Sequence, residues 1–374
     1  MITAPSAEHV LKPLTITSTG VLSAAGLGLP ALAEALNTGI LPDTPPPPPD
    51  PGDYPEIPLS PVPDPDFALH LGRKGLRNLD RTTKLGLVAC RQALHAHDAP
   101  AESGTGVVIG TSTGSVRSSA EFCRDTLVHE RPYLVNAAAF PNTVMNCCAG
   151  QIAIRNSLRG VNATVAGGQL SSLFAFRYAR NALVQGQAAK LLVGAVEELS
   201  PQTAWGWQHA GRLLPETRVG EGAAVFVVSA DAAAPDQGPA TAQADLLACE
   251  VAYYGAPAQR GRWVQGLTDV IVRALSRSRV RAQEVSAVAP GVSRHTGLRH
   301  VELRALAAVL GSLPERQIRV ADVLGELFSA SGALQLAALL AVWQAEPSTS
   351  RRTGLVTSMG PDGNMGCLVV RERA

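Results

Sequence analysis

The run Val165-Ala166-Gly167-Gly168-Gln169-Leu170-Ser171-Ser172-Leu173 reads as a strand end, a glycine turn and a helix start. A turn of this kind presents one side chain at the positive end of a helix dipole, where a cysteine would be held as its thiolate and could attack a carbonyl carbon. The side chain presented is Gln169. A carboxamide has no titratable proton to give up and no useful nucleophilicity, so the turn keeps the geometry of a nucleophile's mount without a nucleophile. Cysteines are no substitute: Cys90, Cys123, Cys147, Cys148, Cys249 and Cys367 lack metal-site spacing, and the pair Cys147-Cys148 has no second pair to complete a zinc site. All six are expected to be small buried hydrophobes in a reducing compartment, with no metal and no cofactor implied.

The elements that must position this turn are legible from apolar runs. Leu14 to Ser18, Gly106 to Gly110, Asn162 to Ala166, Ala189 to Val196 and Ala223 to Ser229 suit buried parallel strands. Helical patterns lie between them at Leu29 to Leu36, Arg81 to Ala96, Gly150 to Leu158 and Leu170 to Leu183. From about Ala242 the order begins again. Strands are expected at Leu246 to Ala252, Val285 to Val292, Thr353 to Ser358 and Gly366 to Arg371, with helices at Val264 to Ser276, Val301 to Leu310 and Gly332 to Val342. This alternation predicts an α/β protein whose sheet is covered on both faces, in two comparable halves, 1–232 and 242–374. The stretch 42–65, with Pro45 to Pro49 unbroken, is expected as a surface loop of polyproline character, and 232–241 as the connection between halves.

A chain of 374 residues can bury a large core, and its formal net charge of +1 suggests neither nucleic acid nor an anionic membrane as partner. No apolar run approaches the roughly 20 residues that span a bilayer, and the first residues lack a signal-type pattern, so a cytoplasmic protein is expected.

Around the glutamine turn the chain resembles the beta-ketoacyl synthases of the thiolase-fold condensing enzymes. The resemblance is carried by Phe140-Pro141-Asn142-Thr143-Val144-Met145-Asn146, Ala149-Gly150-Gln151-Ile152-Ala153-Ile154-Arg155, Leu158-Arg159-Gly160, Leu191-Leu192-Val193-Gly194-Ala195-Val196-Glu197 and Gly220-Glu221-Gly222-Ala223. It extends over about residues 14 to 371 and implies a thiolase fold: duplicated α/β halves in a layered α-β-α-β-α arrangement. The family's condensing enzymes use a cysteine and two histidines, which support decarboxylation and stabilise the enolate or oxyanion. With Glu302 as register, Gly291 falls where the first histidine would stand, and in Gly325-Glu326-Leu327 the second is replaced by Glu326. The family lysine falls on Ala321 and the glycine-rich gate on Gly360-Pro361-Asp362-Gly363. Gln169, Gly291 and Glu326 are thus vestigial positions, and no catalytic residue remains. His295 and His300 lie close by, but moving the imidazole from the strand end into a loop exceeds the tolerance of an assembled site. Both are expected at the surface or behind the site.

Glutamine in place of the nucleophile, with Gly206-Trp207 and Gly211-Arg212-Leu213, is similar to the chain length factors, or ketosynthase beta subunits, of type II polyketide synthases. The resemblance implies a non-catalytic subunit that pairs as a heterodimer with a catalytic ketosynthase, meets an acyl carrier protein transiently and shapes the elongation channel. It places channel positions at Ser115, Ser118 and Phe122, spaced i, i+3, i+7 on one helical face. The bland alternative is an exposed polar helix start with Phe122 as a core anchor. The partner interface is expected at Ala139, Phe140, Thr143 and Asn146. Two rivals stay open: a malonyl-carrier-protein decarboxylase with Gln for Cys, and a stand-alone acyl-binding protein.

Overall fold

The computed structural model describes residues 11–42, 53–63, 65–95, 104–230, 242–255 and 261–373. Residues 43–52 and 64 of the proline-rich stretch and the connection 232–241 lie outside the described residues. The strands along the main path of the sheet are β1 (Leu14–Ser23), β2 (Gly106–Gly110), β3 (Asn162–Val165), β4 (Lys190–Glu197), β5 (Gly222–Ser229), β6 (Ala244–Tyr253), β7 (Ala287–Pro290), β8 (Arg316–Gln317), β9 (Thr353–Met359) and β10 (Asn364–Glu372), with the two-residue strand Gly26–Leu27 pairing β1 off that path. The longer helices are α1 (Gly28–Thr38), α2 (Arg81–His95), α3 (Val116–Val128), α4 (Cys147–Arg155), α5 (Ser171–Val184), α6 (Pro201–Ala210), α7 (Trp263–Ser278), α8 (Leu298–Leu310) and α9 (Ser331–Ala345).

The strands lie side by side in the order β8-β7-β9-β10-β6-β1-β5-β4-β2-β3. Outward from the centre, the first half runs β1, β5, β4, β2, β3 and the second β6, β10, β9, β7, β8, the same path taken twice. The halves meet where β1 pairs antiparallel with β6, Leu14 opposite Leu246 and Ile16 opposite Ala244. The expectation of parallel strands throughout is corrected here. β5 runs antiparallel to β1 and β4, and β10 antiparallel to β6 and β9, while parallel pairing is confined to β2 with β3 and β4 and to β7 with β8 and β9. A continuous apolar run reports burial on both faces, and burial on both faces is common to the two directions in this sheet.

Three hydrophobic clusters give the layers. α5, α9 and α1 pack between the two half-sheets, with Leu173, Phe176, Leu334 and Leu339 in one cluster. α2 and α4 cover the outer face of the first half, and α7 and α8 that of the second. This is the α-β-α-β-α layering. α7 shows why sequence finds an outer helix readily: Trp263, Leu267, Val270, Ile271 and Ala274 are buried on one stripe. α9 is buried on every side from Ser331 to Trp343 and so has no stripe. The segment Phe328–Ala345 is apolar enough to pass for a membrane span, with mean hydropathy 1.3, but 83% of it is buried inside the fold.

The cysteine expectation is also corrected. Cys90, Cys148, Cys249 and Cys367 are buried, but Cys147 is half-buried and Cys123, on α3, is exposed.

Candidate functional site

The turn after β3 forms as its glycines require. Gly168 sits at φ 56°, in the left-handed region, and starts a short 3-10 turn, Gly168–Leu170, that feeds straight into α5. Gln169 therefore stands just before the helix start but is 2% exposed. Its Nε2 donates to Glu326 Oε1 at 2.9 Å and to Ser331 Oγ at 3.4 Å. Glu326 is held by its own backbone, whose N–H donates to Arg218 O at 2.8 Å and whose carbonyl accepts from Gly220 N–H at 2.8 Å. Its Oε1 also accepts from Phe328 N–H at 2.7 Å, and its Oε2 lies 2.5 Å from His295 Nε2.

The placement of His295 corrects the sequence reading. It is 1% exposed and its ring lies against Glu326, while His300 is exposed as expected. The loop after β7 turns back to pair with the segment after α6: Leu214 N–H donates to Arg294 O and Thr296 N–H to Arg212 O, both at 2.8 Å. A histidine five residues past the strand end thus reaches Glu326 from a different direction. Gly291 could not host one. A Cβ there would meet Thr357 O at 2.7 Å and Gln335 Oε1 at 3.2 Å. The N–H groups of Gly291 and Val292 instead hold the buried Glu302 at 2.9 and 3.1 Å.

The Gln169–Glu326–His295 chain is electrostatically self-contained. Burial alone would raise Glu326, but the imidazole, the Gln169 amide and the Phe328 N–H outweigh it and hold the carboxyl below its ordinary range. Burial would lower His295, and the Glu326 carboxylate overrides it and raises it. Both shifts run toward the ion pair, favouring the protonated imidazole and the ionised carboxyl together. Two groups that could have donated to a developing oxyanion, the Gln169 N–H and the His295 N–H, both donate to Glu326.

An open apolar cleft of about 420 Å³ lies outside this chain, lined by Val116, Gln202, Trp207, Arg212, Phe328 and Pro361 among others. Its floor is aromatic: Trp207 meets Phe328 edge-on at 5.4 Å and His295 edge-on at 5.5 Å. Sequence reading had marked Gly206-Trp207 and the Gly360–Gly363 turn but not Phe328, which no motif flagged.

Helix α3, on which the channel positions were expected, begins differently from the expectation. Ser115 is not on its outer face. It is the residue before α3, 5% exposed, and its Oγ accepts from Ser118 N–H at 3.2 Å and lies 3.1 Å from Glu198 Oε1. Ser118 and Phe122 are half-buried on the helix, and the Phe122 ring meets Phe140 edge-on at 5.8 Å. Phe140 belongs to the 3-10 segment Ala137–Thr143, where Ala139 and Thr143 are half-buried and Phe140 is 57% exposed; Asn146, just beyond, is exposed. Leu134, Val144 and Met145 in the adjoining chain are exposed, as is Ile154 on α4, which packs against both this segment and β3, the last strand of the sheet.

Sequence reading also missed Glu197 and Glu198, buried side by side at the end of β4. Burial pushes each carboxyl up to about 7, and among the described residues each is held by hydroxyls and backbone amides. Glu197 accepts from Ser329, from Ser112 N–H at 3.2 Å and from Thr113 at 3.3 Å. Two adjacent acids ending an apolar strand were the available signal.

Residues 63–239 match the family model for the beta-ketoacyl synthase N-terminal domain. The actinorhodin polyketide beta-ketoacyl synthase 2 of Streptomyces coelicolor is 26% identical over 347 residues, covering 87% of this chain and 84% of that protein. Among solved structures, the ishigamide ketosynthase/chain length factor superposes with TM-score 0.81 at 31% identity, over 97% of this chain and 100% of that one. A beta-ketoacyl synthase from Burkholderia phymatum gives TM-score 0.80 at 18% identity over 97% and 100%, a likeness of fold.

Proposed function

We propose, from the premise that this chain belongs to the ketosynthase/chain length factor family of type II polyketide synthases, that it is a chain length factor subunit without condensing activity of its own. It pairs with a ketosynthase that retains cysteine and both histidines, and its surface closes the elongation channel of that partner. An acyl carrier protein bearing the growing chain is the transient third partner, and the complex works in the cytoplasm. The observation that carries this reading is Glu326, which stands between Gln169 and His295 and accepts from both. A fixed carboxylate opposes the negative charge that develops in decarboxylation and condensation alike.

Pairing uses the face around Ala139, Phe140, Thr143 and Asn146. A monomer rarely leaves so many apolar side chains beside an open sheet edge. Obligate interfaces of this kind bury more than about 2,000 Å². Ser118 and Phe122 on α3 lie next to this face and are the channel positions; Ser115 acts behind them.

The rival reading, a malonyl-carrier-protein decarboxylase, gains an imidazole from the position of His295, but that imidazole and the Gln169 amide are both engaged by Glu326. The deciding experiment measures carbon dioxide release and condensation by the purified chain, by its Gln169→Cys variant and by the complex with the ketosynthase. Activity is expected in the complex alone, since a thiol at position 169 would sit against the Glu326 carboxylate and resist ionisation. Turnover by either single chain would overturn the reading. Within the complex, Ser118→Phe fills channel space at a cost of about 1–3 kcal/mol to the longest intermediates and shortens the product.

A further inference from the structure

Glu198 is 1% exposed, lies behind α3 and has no access to a growing chain. Its carboxyl nevertheless reaches three places that fix where the helix starts. Oε1 accepts from Arg117 N–H at 3.1 Å, one of the amide groups a helix leaves free in its first turn. Ser115 Oγ donates to Oε1 at 3.1 Å while accepting from Ser118 N–H, so the carboxyl and the capping hydroxyl act as one unit. Oε2 accepts from Thr82 Oγ1 at 2.9 Å, which anchors the unit to α2, and the same hydroxyl lies 3.4 Å from the Gly114 carbonyl. The Arg117 side chain is paired along the helix with Glu121 at 2.8 Å. At its outer side α3 is held more lightly, by the Phe122–Phe140 edge contact and by Ser119 Oγ donating to Thr143 O at 3.4 Å.

We propose that Glu198 is the positioning residue of the channel wall: by clamping the first turn of α3 to β4 and α2, it sets where Ser118 and Phe122 stand against the pairing face and thereby biases product length. The inference rests on the chain length factor reading and names the device that regulates its channel. Glu198 touches neither substrate nor the partner's reacting groups. It acts through Ser115, Arg117 and Thr82.

The test uses the full chain co-purified with its ketosynthase partner, supplied with malonyl carrier protein, and reads the ratio of longest to shorter products. Glu198→Ala releases the clamp and is expected to change that ratio by about threefold or more, Glu198→Gln by less. Because carboxyl and hydroxyl act as a unit, adding Ser115→Ala to Glu198→Ala should shift the ratio little further than the larger single change. A mere loss of stability would lower the yield of complex and leave the ratio alone. An unchanged ratio in a complex shown intact by size exclusion overturns the proposal, as does strict additivity with Ser115→Ala. Should Glu198→Ala fail to pair, Thr82→Val, which removes one donor and leaves α3 untouched, is expected to move the ratio in the same direction, and its failure to do so overturns the proposal equally. Ser118→Phe separates the two levels: a ratio moved by Ser118→Phe and not by Glu198→Ala removes Glu198 alone, whereas a ratio moved by neither removes the channel reading with it.

Discussion

The interior around Gln169 and the outer face around Phe140 are built on opposite principles. Inside, Gln169, Glu326 and His295 bind one another and are shut away beneath Trp207 and Phe328. Outside, Phe140, Leu134, Val144, Met145 and Ile154 stand in solvent. In the first region Gln169 Nε2 and His295 Nε2 are turned on Glu326, while Gln169 Oε1 and His295 Nδ1 are buried without partners among the described residues; the second has apolar area that another surface could cover. The difference teaches that this chain turns the polar side chains of its interior on one another and leaves apolar side chains uncovered on a separate face.

The contrast can be broken most forcefully from the inside. Glu326→Ala leaves an imidazole buried without its carboxylate, and the expected loss is about 3–5 kcal/mol in chemical denaturation. A double change, His295→Leu with Glu326→Leu, should cost less than the single one, because no uncompensated charge remains. The pair also predicts a pH window. The His295 pKa is raised, so its contribution is complete below the ordinary imidazole range and fades as pH rises through the raised value. The Glu326 pKa is lowered, so its contribution is present above the ordinary carboxylate range and fades as pH falls through the depressed value. The stability gap between the native chain and Glu326→Gln should therefore be widest between those two ordinary ranges. A gap flat across pH would mean that the pair is not ionised.

Phe140→Asp probes the outer face. With Phe140 57% exposed, the chain's own fold should tolerate the change. Pairing should weaken by about two orders of magnitude, close to 2.7 kcal/mol, because a carboxylate would be buried unpaired in the interface. Undiminished co-purification of the ketosynthase would show that the pairing face lies elsewhere.

The smallest effect is expected where the two regions join. Gly114, at φ 63°, precedes Ser115, and a Cβ there would come within 3.0 Å of Met145 Cα. Gly114→Ala should cost about 1–2 kcal/mol from the left-handed backbone. If Met145 is displaced by the new methyl, the loss in pairing should accompany the loss in stability, and thermal melting of the free chain and of the complex would tell the two apart.

Much of this was legible in residue order. Gly106–Gly110 is a strand with the bounds its apolar run predicts, and α2 differs from its pattern by one residue. Glycines around Gln169 specify a turn that local sterics enforce, and a carboxamide is no nucleophile in any fold. Those are properties of a few adjacent residues or of a short period, and the sequence determines them by itself. Strand direction was not available, because two-sided burial looks the same in both directions, and β5 and β10 turned out antiparallel to their neighbours. Nor was the meeting of Gln169 with Glu326, 157 residues later, or the swing of His295 onto Glu326, which depends on the loop after β7 pairing with the segment after α6. Ser115 shows the same limit at short range: its helical spacing is right, yet a buried carboxyl 83 residues later claims its hydroxyl. Which polar groups satisfy one another in a low-dielectric interior is fixed by distances that packing sets, and only the tertiary structure decided them.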